Sequence, residues 1–277
     1  MSGGKSILIT GCSSGIGRDA AHRLRDLGWQ VFASCRRDED CARLEAEGFV
    51  TPRLDYEEPG TFSSALARVF EATGGTLDAV FHNGAYAIPA PLEDVPAEAM
   101  EAIFRANFLG WHGLTREILP AMRAAGQGRI VLNSSVLGLV GMKYRGAYCA
   151  TKFALEGWAD VLRLEMAPEN IHVSLIEPGP IRTEFRQNAI RQFERWVDWK
   201  ASPRADQYRA ELLDQLYQGS GGNRFELPAS AVTEKLVHAL TAPRPRPRYY
   251  VTKPTHIMGA LRRALPARAL DWVVDKG

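Results

Sequence analysis

The chain reads as an α/β protein built on a doubly wound parallel sheet with helices on both faces, and three observations predict this. Short apolar runs with strand character alternate with longer amphipathic runs of helical period, starting at Lys5 and continuing beyond Ile176. The first strand runs directly into a glycine-rich turn that opens a helix. Residues with chemical content then collect at the C-terminal ends of strands far apart in sequence, the edge at which such sheets bind ligands.

Composition narrows the class. With 277 residues, 45% apolar and 24% charged, the chain can bury a large core as a single domain over residues 1–277. A formal net charge of +2 lacks the basic footprint of a nucleic-acid binder. Cys12, Cys35, Cys41 and Cys149 have no metal-ligand spacing, and neither do His22, His112, His172, His238 and His256, so no metal is expected. Free thiols point to a reducing, cytoplasmic setting. No signal peptide is expected at Met1–Gly4, and no apolar run has the length of a membrane span.

Taken in order, Lys5–Thr10 is a buried strand, and Gly11-Cys12-Ser13-Ser14-Gly15-Ile16-Gly17 leads into a helix to about Leu27. Backbone N–H groups and the positive end of a helix at such a turn suit a pyrophosphate, although a plain tight turn uses the same residues. The second strand, Gln30–Ser34, ends in Cys35-Arg36-Arg37, where an NAD site would carry an Asp or Glu. A guanidinium there suits a 2′-phosphate by charge and bidentate geometry; alternatively Asp38, Glu39 and Asp40 pair with the arginines in a solvated loop. Residues 49–55 read as a third strand ending at Asp55, which also suits the cap of the following helix, Thr61–Ala72. Strand Leu77–His82 precedes Asn83-Gly84, with His82 read as a satisfied strand-end histidine. A helix from Pro96 to Trp111 carries Asn107 and continues through Glu117–Met122.

The stretch from Gly128 to Leu155 carries the chemistry. A strand at Ile130–Leu132 delivers Ser134 and Ser135, and a loop containing Gly138, Gly141 and Gly146 leads to a helix reaching about Met166. Tyr148 and Lys152 lie one turn apart on one face of that helix. Free tyrosine titrates near ~10, so acid/base work near neutrality needs a fall of roughly 3 units, about 4 kcal/mol. A neighbouring ammonium shifts a phenol in that direction. A serine hydroxyl from the strand end then holds a substrate oxygen against the phenol, which makes a site for proton transfer at a carbonyl or alcohol. Strand His172–Ile176 follows and ends in Glu177-Pro178-Gly179-Pro180-Ile181-Arg182-Thr183.

The order and spacing of Ser135, Tyr148 and Lys152, together with T-G-C-S-S-G-I-G and P-G-P-I-R-T, resemble the short-chain dehydrogenase/reductase family over about residues 5–185. The resemblance implies a Rossmann-type sheet and an NADP(H)-dependent oxidoreductase that interconverts an apolar aldehyde or ketone and its alcohol by hydride transfer. It implies Tyr148 as general acid/base, Ser135 holding the carbonyl oxygen, and Lys152 lowering the Tyr pKa and holding the nicotinamide ribose. Asn107 then supports a water relay. For the cofactor it implies Gly11, Ser13, Ser14, Gly15, Ile16 and Gly17 at the phosphates, and Arg36 at the 2′-phosphate with Arg37 beside it. Asp55 falls at the adenine amine, Asn83 and Gly84 at the ribose, Pro178, Gly179 and Ile181 around the nicotinamide, and Thr183 at the carboxamide and phosphate. The chain departs from the family's Asn-Asn-Ala-Gly at His82-Asn83-Gly84-Ala85, where only Asn83 is kept. Its strings look most like the branch of hydroxysteroid and retinol dehydrogenases and bacterial aldehyde reductases. Homodimers or homotetramers are the usual assemblies there.

Residues 185–225 are amphipathic and aromatic and end in Gly219-Ser220-Gly221-Gly222; they read as a lid over an apolar cleft or as helices packed on the surface or a subunit contact. Ser230–Leu240 is a helix, Arg244–Arg248 with its alternating prolines an extended linker, and Tyr249–Val251 the last strand. The tail, 253–277, is amphipathic over Ile257–Val274 and suits its own domain, a neighbouring subunit or a membrane surface. Two rival functions stay open: a hydroxysteroid or retinol dehydrogenase working mainly in the oxidative direction, and a non-catalytic NADP(H)-binding regulator.

Overall fold

The computed structural model describes residues 4–218 and 225–276; the start of the chain at Met1–Gly3 and the Gly219–Gly222 run lie outside the described residues. One parallel six-stranded sheet forms the centre: β1 (Ser6–Ile9), β2 (Gln30–Ala33), β3 (Ala79–His82), β4 (Gly128–Asn133), β5 (Ile171–Glu177) and β6 (Arg248–Tyr250), in the order β2-β1-β3-β4-β5-β6. Order reverses at β1, so crossovers run to both sides and the strand C-termini share one edge. Register aligns those ends, with Ile9 beside Ala33 and Phe81, Leu132 beside Leu175, and Glu177 beside Tyr250.

Alternation along each strand divides the core. Leu8, Val80, Ile130, Leu132, Val173 and Leu175 face helices α3 (Gly60–Thr73), α5 (Gly110–Ala125) and α6 (Gly146–Met166). Ile7, Ile9, Phe81, Val131 and Ile176 face α1 (Gly15–Asp26), α2 (Asp38–Ala46) and α10 (Ser230–Thr241). Both faces are covered, which is why the strands read as apolar runs rather than alternating ones. Helix α4 (Ala97–Phe104) passes into α5 through a π-type turn, Arg105–Leu109, that contains Asn107. All four cysteines are buried free thiols.

Three segments differ from their sequence reading. Residues 49–55 form no strand: Val50 and Arg53 make isolated bridges to Phe32 and Cys35, and Pro52, which has no N–H, interrupts the ladder between them. The acidic run after Arg37 is not a solvated loop but the first turn of α2, where Asp38, Glu39 and Asp40 meet the positive helix end. Arg248 is not linker; it sits in β6 and is bonded to three carboxyl groups.

The 185–225 insertion forms α7 (Phe185–Trp196), a short turn α8 (Ala205–Gln207), a π-type turn (Tyr208–Leu212) and α9 (Leu213–Tyr217). Its buried Phe193, Tyr208, Leu212 and Leu216 pack with Tyr86, Ile88 and Ile103 into a third apolar cluster above the strand ends. The tail forms α11 (Lys253–Ala264) and α12 (Ala267–Lys276) and packs back on the sheet edge, with Gly259 against the Tyr250 ring. Among the described residues no helix is long and apolar enough to cross a membrane.

Candidate active site

At the C-terminal edge of the sheet a cleft of about 940 Å³ runs from the end of β2 to the end of β5. Of the sequence-derived site residues, Gly17 and Asn107 do not line it and every other one does. Gly17 has a packing task instead. A Cβ there would stand 2.3 Å from the Gly11 carbonyl oxygen, so glycine lets α1 start directly over the turn. Gly11 has φ +68° and a Cβ there would meet Gly84 at 2.8 Å, which makes the close approach of the two loops a glycine requirement.

The start of α1 suits an anion in chemical terms: its first turn has no acidic residue and the Ser14 side chain makes no capping bond. Beside it, Arg37 pairs with Asp40 at 2.8 Å, and Arg43 binds the other oxygen of the same buried carboxylate at 2.9 Å. Arg36 makes no ion pair among the described residues and lines the cleft. No carboxylate ends β2; Cys35 stands there, its thiol pushed up to about 12 by burial. Asp55 also lines the cleft while its Oδ1 accepts from Glu57 N at 3.0 Å, a turn role.

Between β1 and β4 the strand ends are tied through side chains. Asn83 donates to the Thr10 carbonyl at 3.1 Å and accepts from Asn133 Nδ2 at 2.8 Å. Asn133 Oδ1, also buried, has no hydrogen-bond partner among the described residues. His82 is fully buried, with Nδ1 2.7 Å from the Tyr56 hydroxyl and Nε2 3.0 Å from Thr115 Oγ1. Burial pushes its imidazole down to about 3, so it is a neutral strut rather than a proton carrier.

Beyond β4 the backbone turns at Ser135, whose Oγ accepts from Leu137 N at 3.1 Å. Tyr148 and Lys152 rise from the first turns of α6, both buried. Lys152 Nζ donates to the Asn133 carbonyl at 2.8 Å and sits 5.5 Å from the Tyr148 ring centroid and 4.6 Å from that of Trp111. Asn107 stands behind them: its Oδ1 accepts from Tyr86 N at 3.1 Å and its Nδ2 donates to Tyr86 O at 2.8 Å. The downward Tyr pKa shift expected from the sequence is not what this arrangement gives. Burial pushes the Tyr148 phenol well up, opposed by its hydrogen bond with Ser135. The same burial pushes the Lys152 ammonium down to about 7, partly offset by Glu156, so its cation is weakened just where the phenol needs it.

Apolar side chains line the cleft from four places, beside polar ones of α7 such as Arg186 and Gln192: Val140 and Met142 from the loop after β4, Phe185 of α7, Ile257 and Met258 of α11, and Val273 and Val274 of α12. Phe185 meets the Tyr148 ring edge-on at 5.4 Å between centroids. Sequence reading missed the tail's part in this wall. Its signal was the amphipathic period of Ile257–Val274, which marks a buried face without saying what lies opposite. Glu156 was missed as well, although its place one turn beyond Lys152 put it on the same face.

A glycine-turn α/β sheet with a Ser–Tyr–Lys group at its ligand edge defines an oxidoreductase of the dinucleotide-binding kind. Comparison with known proteins gives the family: the short chain dehydrogenase model matches residues 5–194, and the chain belongs to that family. It is 40% identical to the uncharacterized oxidoreductase YbbO of Escherichia coli strain K12, over 98% of this chain and 94% of that protein. It is 32% identical to human 17-beta-hydroxysteroid dehydrogenase type 1, covering 89% and 77%, and 31% identical to human retinol dehydrogenase 8, covering 87% and 79%. Among solved structures, a short-chain dehydrogenase from Streptomyces avermitilis superposes with a TM-score of 0.77 at 25% identity, covering all of this chain and 95% of that one. A Burkholderia phymatum short chain dehydrogenase/reductase in complex with NAD gives 0.78 at 24% identity, covering 94% and 92%, and shares the fold.

Proposed function

We propose that this chain is an NADP(H)-dependent reductase of apolar aldehydes or ketones, running in reverse on the alcohols, with Tyr148 as the proton donor. One observation carries the reading: a single cleft joins Ser135, Tyr148 and Lys152, apolar side chains around them, and Arg36 three strands away without a carboxylate partner among the described residues. The residues present fit a dinucleotide. The acid-free start of α1 with Ser13, Ser14, Gly15 and Ile16 suits the pyrophosphate, and Arg36 suits a 2′-phosphate where β2 runs into Cys35 rather than an acid. Asp55 serves the adenine, Asn83 and Gly84 serve sugar hydroxyls, and Pro178, Gly179, Ile181 and Thr183 wall the nicotinamide end.

When bound, NADPH supplies the hydride, and this chain supplies orientation, the proton and exclusion of water. Ser135 Oγ holds the substrate oxygen and Tyr148 Oη donates to it as alkoxide character develops. Burial raises the phenol, which keeps it protonated as a donor in the reductive direction. Lys152 holds the ribose and replaces the proton through a water path at the π-type turn; the Asn107 side chain is itself taken up by Tyr86. Phe185 and the rest of α7 act as a lid over the apolar pocket. The names of the human relatives, a hydroxysteroid and a retinol dehydrogenase, support a bulky apolar substrate. A cytoplasmic homo-oligomer completes the reading, supported by the free thiols and by exposed Val161 and Leu164 on α6.

The test is oxidation of NADPH and of NADH followed across aliphatic and aromatic aldehydes, retinal and steroid ketones. Turnover with NADPH is expected, and Tyr148→Phe should lower kcat by about 10²–10⁴-fold while NADPH binding persists. Unchanged turnover in Tyr148→Phe would overturn the assignment.

A further inference from the structure

Behind the catalytic group lies a buried ion cluster that the proposed chemistry does not use. Glu156 of α6 and Glu177, the last residue of β5, are both buried, and a single guanidinium, Arg248 of β6, lies between them. Arg248 donates to Glu156, to Glu177 at 2.7 Å and to Asp160 at 2.8 Å; Asp160 is further bound by Arg163 at 2.6 Å. Glu177 Oε2 is left with no donor among the described residues. Burial raises both carboxyl groups, and the charge of Glu156 raises Glu177 further.

The cluster grips the catalytic edge from behind. The second oxygen of Glu156 accepts from the Ser134 hydroxyl, while Lys152, one turn earlier on α6, holds the carbonyl of Asn133. Two consecutive residues of the β4 end, immediately before Ser135, are thus pinned by two side chains of one helix face. Backbone bonds carry the grip to β5: Ser134 N donates to Ile176 O at 2.7 Å and Val136 N to Pro178 O at 2.8 Å. We propose that Glu156, clamped by Arg248 to the ends of β5 and β6, is a positioning residue that seats Ser134 and keeps the Lys152 ammonium charged. This rests on the catalytic roles proposed for Ser135, Tyr148 and Lys152.

The surroundings of Lys152 leave few other sources of charge. Facing it are the Tyr148 phenol and Glu156 from α6, the Asn133 carbonyl from β4 and the Trp111 ring from α5. Glu177 of β5, Arg248 of β6, Asp160 and Arg163 act on it through Glu156. Glu156 is the one carboxylate among these that favours the ammonium directly.

The experiment is the pH profile of kcat for carbonyl reduction in wild type, Glu156→Gln, Glu156→Asp and Glu177→Gln. Loss of activity at high pH reports loss of the Lys152 proton. Glu156→Gln should move that alkaline limb down by about one pH unit, and Glu156→Asp, which keeps the charge, should restore most of it. Glu177→Gln replaces a carboxyl that burial and Glu156 keep protonated, and leaves Glu156 its charge, so its limb should stay within about 0.3 pH unit of wild type. A shift in one variant of the cluster and not in the other is not what general loosening produces, and where Glu156→Gln fails to fold, a Glu177→Gln limb moved by a full pH unit overturns the proposal. A Glu156→Gln limb that stays in place, or moves together with that of Glu177→Gln, overturns it as well. A wild type that turns over no carbonyl overturns the functional reading and takes the clamp with it, whereas turnover with unmoved limbs sinks the clamp alone.

Discussion

Two adjacent arginines at the end of β2 differ in a way that decides cofactor choice. Arg37 is neutralised by buried Asp40, which also holds Arg43, while Arg36 has no carboxylate partner among the described residues. A charge-assisted bond to a phosphate is worth roughly 1.5–3 kcal/mol, less where solvent screens it. Arg36→Ala is therefore expected to raise the Kd for NADPH about tenfold or more and leave that for NADH within about twofold. Arg37→Ala should weaken both cofactors slightly and equally. Fluorescence titration of both nucleotides checks this, and an equal loss for NADPH and NADH in Arg36→Ala would remove its phosphate role. The family resemblance favoured Arg36 over Arg37, but the residues themselves gave no physical reason for the ranking. Their difference depends on Asp40 facing inward, which only the first turn of α2 arranges, and that helix was hard to see because Cys41 and Leu44 are its only buried apolar residues. Tyr148 and Lys152 were legible because one helical turn relates them. The direction of the Tyr148 shift was not, because burial is a property of the whole fold.

Elements with a strong period were found nearly to the residue, α6 ending at Met166 and α1 at Asp26. Those that failed owe their state to partners distant in sequence. Residues 49–55 have strand composition but a proline in the ladder, and Arg248 has a linker's neighbours but three carboxyl groups waiting for it. The tail belongs to the same class. Its helices were legible; their place in the cleft wall was not. Helix α12 brings Val273 and Val274 to the cleft and is tied to the loop after β4 by the Lys143–Asp275 pair, an exposed contact worth little by itself. Its consequence should therefore fall on selectivity more than on stability. Ending the chain after Leu265 is expected to reduce the preference for long over short aliphatic aldehydes, as kcat/KM, by about tenfold, the contact of about two methylene groups at roughly 0.8 kcal/mol each. Turnover of the shortest aldehyde should change little. An unchanged preference across the series would take α12 out of the substrate wall.

Across the whole molecule, one buried network ties the fold to the site, and it should register in the dependence of stability on pH. His82 ends the central strand β3, and its ring stacks on Trp111 of α5 at 5.5 Å. Thr115 Oγ1 donates to Trp111 O at 2.8 Å and faces His82 Nε2, while Nδ1 faces the Tyr56 hydroxyl, so both ring nitrogens are hydrogen-bonded. Tyr56 in turn is hydrogen-bonded to Thr10 Oγ1, which receives Asn83 N at 2.9 Å, so the neutral imidazole supports the loops that face the cofactor cleft. Protonation would put a charge inside the core, where no carboxylate among the described residues pairs with it, and burial holds the folded-state pKa near 3 against an ordinary 6.5. The sign follows from a depressed value. Above the ordinary pKa both states are neutral and the stability is fully present; below it the unfolded chain binds a proton that the folded one refuses, and stability falls as pH falls toward the folded pKa. The slope approaches about 1.4 kcal/mol per pH unit below pH 6.5, so this one group costs about 2 kcal/mol between pH 6.5 and 4.5. Titrating carboxyl groups add their own slope, which comparison with a variant removes. His82→Asn, the residue that the family's usual string carries here, is expected to be less stable than wild type at pH 7.5, because it gives up the ring and one of its two bonds. Its deficit should shrink by about 3 kcal/mol by pH 4.5, since only the wild type is penalised by the unfolded histidine's proton. Urea unfolding of both proteins at half-unit steps from pH 7.5 to 4.5 measures the difference directly. A gap that stays constant over that range would mean His82 accepts its proton in the folded state, and that the sheet's centre is wetter than this network allows.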